Sequence, residues 1–253
     1  MTITFLGTGT SQGVPVITCT CPVCTSLDYR DKRLRTSVHI AVEDHSLVID
    51  TGPDFRQQML RERIRKLDAI LFTHEHKDHT AGLDDVRSFN FSQKKDMPIY
   101  GRKQVLEQIK REFAYAFAEI KYPGVPSITT NEITNNEFNV DGLRIKPIEV
   151  MHHKLPVFGF RIGDFSYITD TNYINEKELE KVKGSRVLVL NALQKSAHIS
   201  HYTLDEAVEV AIKAGAEKTY LTHISHKLGL HAEVSTELPQ NIHLAYDGLK
   251  LEI

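Results

Sequence analysis

The sequence contains no tryptophan, only three cysteines and no long apolar run. A membrane-spanning helix needs about 20 consecutive apolar residues, so no membrane span or membrane partner is predicted. The first residues show neither a basic start nor an apolar core, so no signal peptide is predicted and a cytoplasmic location is expected. The 31 Lys and Arg residues nearly balance the 33 Asp and Glu residues, which is untypical of a nucleic-acid-binding protein.

Repeats, low-complexity tracts and linkers rich in Gly, Pro or Ser are also missing. Hydrophobic residues make up 41% of the chain and charged residues 25%, which is ordinary for a globular protein and excludes a disordered chain. We therefore predict a single domain over residues 1–253. Strand and helix patterns are interleaved, which predicts an α/β fold with two packed sheets covered by helices. The last two predicted strands, 242–245 and 249–253, are expected to turn at Asp247 and Gly248.

Histidine, in contrast, is frequent, with 13 residues. The segment T-H-E-H-K-D-H follows a predicted buried strand at 67–73 and contains four potential metal ligands: His74, His76, Asp78 and His79. Imidazole and carboxylate groups in this mixture suit zinc, manganese or iron(II). They are too many and too close for one tetrahedral ion, which predicts two metal ions sharing one site.

Later predicted strands also end in side chains that bind metals. His152 and His153 follow the strand that ends at Val150, Asp170 follows the strand FSYIT, and His223 follows the strand KTYLT. A carboxylate placed between two cations lowers their mutual repulsion. Asp170 is therefore the natural bridge between the two predicted ions.

The three cysteines lie together in C-T-C-P-V-C, as Cys19, Cys21 and Cys24. An odd number at such close spacing is a poor disulfide framework, whereas grouped thiolates are a natural zinc site. Because structural zinc is usually four-coordinate, a fourth ligand is needed, and a histidine is expected. We predict a zinc-binding loop at about residues 15–30.

These motifs, together with I-D-T-G at residues 49–52, resemble the metallo-β-lactamase superfamily over nearly the whole chain. The resemblance implies a four-layer αββα sandwich with two metal ions at one edge. It implies that Asp170 bridges an ion held by His74, His76 and His153 and an ion held by Asp78, His79 and His223. His153 is preferred to His152 because the superfamily's third-motif histidine lies six residues before a glycine, here Gly159. His152 is then a neighbour of the ligands, and Asp50 resembles the aspartate that braces the ligand loop through hydrogen bonds.

A closer resemblance is to the PhnP family of phosphoribosyl 1,2-cyclic phosphate phosphodiesterases. It rests on the Gly- and Thr-rich start that leads into the cysteines, on the segment HISH at 223–226, and on the segment H-I-S-H-Y-T-L-D-E-A. That family binds a structural zinc through three cysteines and one histidine, which implies His226 as the fourth ligand here. His201 matches an active-site histidine that does not bind metal.

The resemblance implies hydrolysis of a small cyclic phosphodiester by a hydroxide that bridges two ions, manganese or zinc, with iron also possible. His201 is then the candidate general acid, and Asp78 also orients the attacking water. Arg56 and Arg87 are candidate partners for a phosphate or for acidic groups behind the ligands, although Arg87 is equally compatible with a salt bridge to a neighbouring aspartate. His198 is either a substrate contact or an ordinary loop histidine. The family also implies a small-molecule partner and a homodimer, and no nucleic acid is expected.

Three alternatives remain open at this point. A tRNA 3′-processing endonuclease shares the chemistry but usually carries a protruding basic arm, of which the sequence shows no sign. A glyoxalase II-type thioesterase shares the metal motif but has a helical substrate domain, whereas this sequence ends in strands. A non-catalytic zinc-binding module would not need the complete ligand set or His201.

Overall fold

The computed structural model describes residues 1–253 and contains fourteen strands and nine α-helices. The strands are β1 (Thr2–Gly7), β2 (Ser37–Val42), β3 (His45–Ile49), β4 (Ala69–Leu71), β5 (Met97–Gly101), β6 (Ile128–Glu132), β7 (Phe138–Val140), β8 (Leu143–His152), β9 (Leu155–Ile162), β10 (Phe165–Ile168), β11 (Val187–Asn191), β12 (Lys218–Thr222), β13 (Ile242–Leu244) and β14 (Lys250–Glu252). The helices are α1 (Pro22–Thr25), α2 (Phe55–Glu62), α3 (Lys77–Thr80), α4 (Arg87–Gln93), α5 (Lys103–Glu112), α6 (Ala114–Phe117), α7 (Glu176–Val182), α8 (Leu204–Ala214) and α9 (His231–Val234).

The strands form two seven-stranded sheets. The first has the order β14-β1-β2-β3-β4-β5-β6, and the second has the order β13-β12-β11-β10-β9-β8-β7. In the first sheet, the pairings from β14 to β3 are antiparallel and those from β3 to β6 are parallel. In the second sheet, the pairings from β7 to β10 are antiparallel and those from β10 to β13 are parallel. The carboxyl ends of parallel strands meet at one edge of each sheet.

Three hydrophobic clusters hold the layers together. Strand side chains alternate between the two faces of a sheet, so Leu47 and Ile49 of β3 face the other sheet, whereas Val48 packs with residues of α2, α4 and α5. The outer face of the second sheet packs in the same way with residues of α7, α8 and α9. The predicted αββα sandwich is confirmed.

The start of α8 shows how local sequence fixes an element next to the site. Thr203 accepts a hydrogen bond from the backbone of Glu206, and Glu206 in turn accepts one from the backbone of Thr203. This reciprocal cap satisfies amides that the first helical turn leaves open. Gly215 ends the helix in the left-handed conformation. The helix therefore starts at a defined point close after His201.

The C-terminal strands differ from the expected arrangement. β13 pairs with β12 in the second sheet, whereas β14 pairs with β1 in the first, so the turn at Asp247 and Gly248 joins two sheets. The Asp247 carboxylate accepts hydrogen bonds from the Thr8 hydroxyl and the Leu34 amide, at 2.8 Å each. These contacts direct the chain across the sandwich. None of the helices is long and apolar enough to cross a membrane.

Candidate metal centre

The predicted ligands meet at the edge where parallel strands of both sheets end. His74 and Asp50 follow β4 and β3 of the first sheet, and Asp170 and His223 follow β10 and β12 of the second. Ligands of α/β proteins bind beyond the carboxyl ends of parallel strands, since loops there can converge on one point. The sandwich therefore brings together residues that lie far apart in the sequence.

One group of potential ligands consists of His74, His76 and His152, whose ligand atoms all lie within 4.8 Å of one another. His74 Nε2 and His76 Nδ1 are 3.0 Å apart. On its other ring nitrogen, Nδ1, His152 lies 2.9 Å from the carbonyl oxygen of Ser200. That hydrogen bond leaves Nε2 of His152 available to an ion and fixes the ring orientation.

The choice of His153 as the third ligand does not fit this geometry. His152 is the last residue of β8 and lies on the same buried face as Ile148 and Val150, because side chains alternate along a strand. His153 begins the turn after the strand, has a positive φ of 56° and is exposed. The structure therefore assigns the position beside His74 and His76 to His152.

The second group consists of Asp78, His79, Asp170 and His223, again with ligand atoms within 4.8 Å of one another. Asp170 Oδ2 lies 3.2 Å from His79 Nε2, and Asp170 Oδ1 lies 3.1 Å from His223 Nε2. Burial alone would raise the pKa of Asp170, but His223 and His79 outweigh it and hold that pKa well below its usual range. Asp170 thus carries negative charge in the centre of the site.

The donor set fits divalent ions. Two donors that each lie about 2.0–2.3 Å from one ion are at most about 4.6 Å apart, close to the spread in each group. His79 Nε2 and His223 Nε2 are buried without a hydrogen-bond partner, which is rare for polar atoms unless something else binds them. The ring centres of His74 and His79 are 4.2 Å apart, so the first and second ligand groups lie side by side. Asp170 also lies within 4.8 Å of ligand atoms of His152 and His201, as a bridging carboxylate would.

Asp50 orients the second ligand group through hydrogen bonds. Its Oδ2 accepts hydrogen bonds from His79 Nδ1 at 2.7 Å and from the Thr73 hydroxyl at 2.8 Å, while Oδ1 accepts one from the Thr73 amide at 2.9 Å. These bonds turn Nε2 of His79 towards Asp170. Thr73 is not singled out by the sequence analysis, and its one signal is its position directly before His74.

Backbone conformation also aims the strand-end side chains. Asp50, Asp170 and His223 have positive φ values of 64°, 53° and 56°, in the left-handed region that few non-glycine residues occupy. Residues held in this region cluster at functional sites, where the surrounding structure offsets the strain. Here each one turns the chain sharply after a strand.

His201 lies beside both groups, and its Nδ1 is buried without a hydrogen-bond partner, 3.9 Å from Asp170 Oδ1. Its ring lies 4.7 Å from that of His223. Burial, followed by the charge of His223, lowers the pKa of His201 to about 3. His198 is exposed with its ring 5.1 Å from that of His201, at the rim of the site.

The two arginines do not reach the ligand groups. Arg87 forms a salt bridge with Asp84, the alternative that the sequence already allows. Arg56 is exposed and lines a cavity of about 400 Å³ between α2 and α4 that includes none of the candidate ligands. The structure gives neither side chain a place at the metal centre.

The cysteine loop forms a separate cluster. The Sγ atoms of Cys19, Cys21 and Cys24 lie 3.2, 3.4 and 3.5 Å from His226 Nδ1. The Cys24 amide donates a hydrogen bond to Cys21 Sγ, and this bond, with His226 and the other cysteines, lowers the pKa of Cys21 to about 6. Three sulfurs and one imidazole in this arrangement fit a four-coordinate zinc ion.

A family model described as "Beta-lactamase superfamily domain" matches residues 45–224. The chain belongs to the metallo-β-lactamase superfamily. A solved structure described as a new diphosphatase from the PhnP family is 40% identical, with a TM-score of 0.93, and the match covers 100% of this chain and 97% of that one. The chain is therefore also related in sequence and fold to the PhnP family.

Two curated relatives are each matched over about half of their own length. A protein named octanoyltransferase from Porphyromonas gingivalis is 40% identical over 97% of this chain. Ribonuclease Z from Staphylococcus epidermidis is 30% identical over 64% of this chain. The matched part of the chain spans about half the length of each relative, 50% and 49%.

Proposed function

We propose that this protein is a dinuclear metal-dependent hydrolase that cleaves a small cyclic phosphodiester of the phosphoribosyl type. The observation that carries the proposal is the position of Asp170, whose carboxylate lies between two adjoining groups of metal ligands. The likeness to a PhnP-family structure supports phosphate as the group attacked. Manganese or zinc would occupy the two groups, and a further zinc would occupy the cysteine loop.

Two divalent ions bound here would supply an activated water and would neutralise charge that develops on the phosphate oxygens. The chain's own residues set the geometry for this. Asp170 and Asp78 place negative charge between the imidazoles, while Asp50 and the Ser200 carbonyl orient two of the rings. A rigid arrangement of this kind avoids reorganisation during the reaction.

In this proposal His201 protonates the departing oxygen. It faces the ligand groups, and its Nδ1 has no competing partner. Its lowered pKa leaves the imidazole neutral at pH 7, and the negative charge of a bound phosphodiester would raise that pKa again. Substrate binding would therefore favour the protonated form of His201, which is the form that can donate a proton.

An organic diphosphate is a second candidate substrate, favoured by the likeness to the PhnP-family diphosphatase. The two substrates differ in their leaving group. A ribose oxygen leaves as an alkoxide and needs a proton, whereas a phosphate leaves readily without one. The likeness to the protein named octanoyltransferase supports no acyl-transfer activity here, because this chain spans only half of that protein. We also propose that a small molecule is the natural partner and that the chain forms a homodimer.

The first experiment measures hydrolysis of bis-p-nitrophenyl phosphate by purified protein that has been chelated and then supplied with manganese or zinc. We expect activity to disappear with the chelator and to return with the metal. A five-membered cyclic ribose phosphate and an organic diphosphate are then compared under the same conditions. A metal-loaded protein that cleaves none of the three would contradict the proposal and favour a thioesterase or a binding role.

His201→Ala separates the two substrates. Loss of a general acid costs about 10²–10⁴-fold for a poor leaving group. We expect a loss of that order with the cyclic ribose phosphate and little change with bis-p-nitrophenyl phosphate, whose leaving group needs no proton. Metal content, measured by mass spectrometry, should stay at the wild-type value. If the variant loses active-site metal, His201 is a ligand and not the acid.

A further inference from the structure

Arg102 follows β5 at the same edge of the first sheet as the metal centre. β5 pairs in parallel with β4, whose end leads into the ligand segment. The position therefore belongs to the row of strand ends that supplies Asp50 and His74. Local sequence gives no signal for Arg102, because its neighbours in the chain carry no metal-ligand motif.

The guanidinium of Arg102 contacts the second sheet. It forms an ion pair with Glu149 of β8, and its central carbon lies 4.2 Å from the centre of the Phe158 ring on β9. Glu149 and Phe158 are partners in the register of β8 and β9. Stacking on an aromatic face and pairing with a carboxylate are the contacts that arginine makes better than lysine.

A second carboxylate lies on the ligand segment itself. Burial lowers the pKa of Arg102, and the nearby Glu75 carboxylate opposes that change. Nε of Arg102 and Oε2 of Glu75 are both buried, and neither has a hydrogen-bond partner. A buried donor on a cation and a buried acceptor on a neighbouring anion are complementary groups.

Glu75 and Glu149 belong to the two segments that provide the first ligand group. Glu75 separates His74 from His76, and Glu149 lies on β8 shortly before His152. The Phe158 amide also donates a hydrogen bond to the Thr73 carbonyl, so β9 touches the start of the ligand segment. Arg102 thus lies between the parts of the two sheets that must stay in register for three imidazoles to meet.

We propose that Arg102 is a positioning residue that holds His74, His76 and His152 in register by bridging Glu75 and Glu149. The inference rests on the proposed metal site and concerns its first ligand group alone. The side-chain contacts of Arg102 are with Glu149 and Phe158 and not with the ligand imidazoles. Its effect is on how well three imidazoles, from two sheets, converge on one ion.

The test is zinc binding to the purified chain, measured by competition with a chromophoric chelator and by anomalous scattering from crystals grown at limiting zinc. Removal of residues that orient ligands typically costs about 10–100-fold in metal affinity. We expect Arg102→Gln to lose affinity by a factor in that range at His74, His76 and His152. Occupancy at the cysteine cluster and at His79 and His223 should fall much less.

Arg144→Gln is the matched control, since Arg144 lies on β8, the strand of Glu149, but its side chain is 78% exposed and approaches Glu137 only to 3.9 Å. It should bind zinc like the wild type. Arg102→Lys keeps the charge but not the planar fork, so we expect it to recover only part of the lost affinity. Full recovery in the lysine variant would show that charge alone suffices and would overturn the bridge.

Glu75→Gln provides a second way to break the bridge if Arg102→Gln does not fold, and it should cause the same loss at the same group. Wild-type affinity in either folded variant would refute the inference. An equal loss of zinc at all three clusters would also refute it, since that result indicates general destabilisation. If the wild type itself binds no zinc at the strand-end site, the proposed function fails, which is a separate outcome.

Discussion

The molecule contains two clusters of metal ligands that are built in opposite ways. The His and Asp cluster lies at the ends of strands in two large sheets, with Asp50, His74, His79 and His223 almost fully buried. The cysteine cluster lies on a loop with one short helix, and its local core has only three buried residues: Val14, Val23 and Cys24. The first cluster is shaped by the fold, whereas the second has little besides its own ligands to shape it.

This difference separates two uses of a metal ion. Where sheets and hydrogen bonds fix the ligands in advance, the fold does not need the ion, and the ion is free to take part in chemistry. Where a loop has too small a core, the ion supplies the folding energy, as in small zinc domains. The two clusters are neighbours in the chain, since His223 and His226 share one loop after β12.

The largest effect should come from a pair of adjacent histidines. We expect His152→Ala to lower the zinc content and to reduce metal-dependent activity. The reduction should be at least ~10²–10³-fold, which is the cost of losing one electrostatic group. His153→Ala, in an exposed turn, should leave both unchanged. Activity and metal content of the two variants, measured side by side, test the assignment. The reverse pattern would restore His153 as the ligand.

A smaller effect is expected from Asp50→Asn, which keeps the left-handed backbone but weakens the acceptor for His79 Nδ1. Metal affinity should fall about 10–100-fold, as for other residues that orient ligands. Asp68→Asn is the control, because Asp68 is also buried and hydrogen-bonded but lies before β4, at the opposite end of that strand from His74. Isothermal titration with zinc should show a lower affinity for Asp50→Asn than for Asp68→Asn. Equal affinities of the two variants would show that Asp50 does not orient His79.

The smallest effect on activity should come from the cysteine cluster. His226→Ala should release one zinc and lower the melting temperature, by about 2–4 °C for each kcal/mol lost in a chain of this size. The next residue along from His223, Ile224, is tied to Thr8 and Thr10 by backbone hydrogen bonds, so His223 should keep its place and most activity should remain. Loss of activity at unchanged active-site metal content would show that the loop reaches the substrate.

Much of the fold and the site can be predicted from local sequence. The ligand segment, Asp170 and His223 each follow an apolar run, and a strand end is a position that local patterns specify well. The bounds of α8 follow from its cap at Thr203 and from Gly215. The superfamily motifs then predict how these pieces are arranged.

What local sequence could not give depends on contacts between distant segments. The choice between His152 and His153 depends on which face of β8 is buried, and the alternation of Ile148, Val150 and His152 is the one local signal for it. The separation of β13 from β14 depends on bonds from Asp247 to residues at the other end of the chain. Arg102 has no motif at all, because its partners belong to three different segments.

The strand directions have a consequence for the origin of the metal centre. In both sheets three antiparallel pairings are followed by three parallel ones, and the change occurs at β3 in one and at β10 in the other. Asp50 and Asp170 follow these two strands with the same left-handed backbone. The sandwich thus has the form of one unit built twice, with the two copies face to face. Asp170 of one copy lies among the ligands, whereas Asp50, its equivalent in the other copy, orients the ligand His79 through a hydrogen bond.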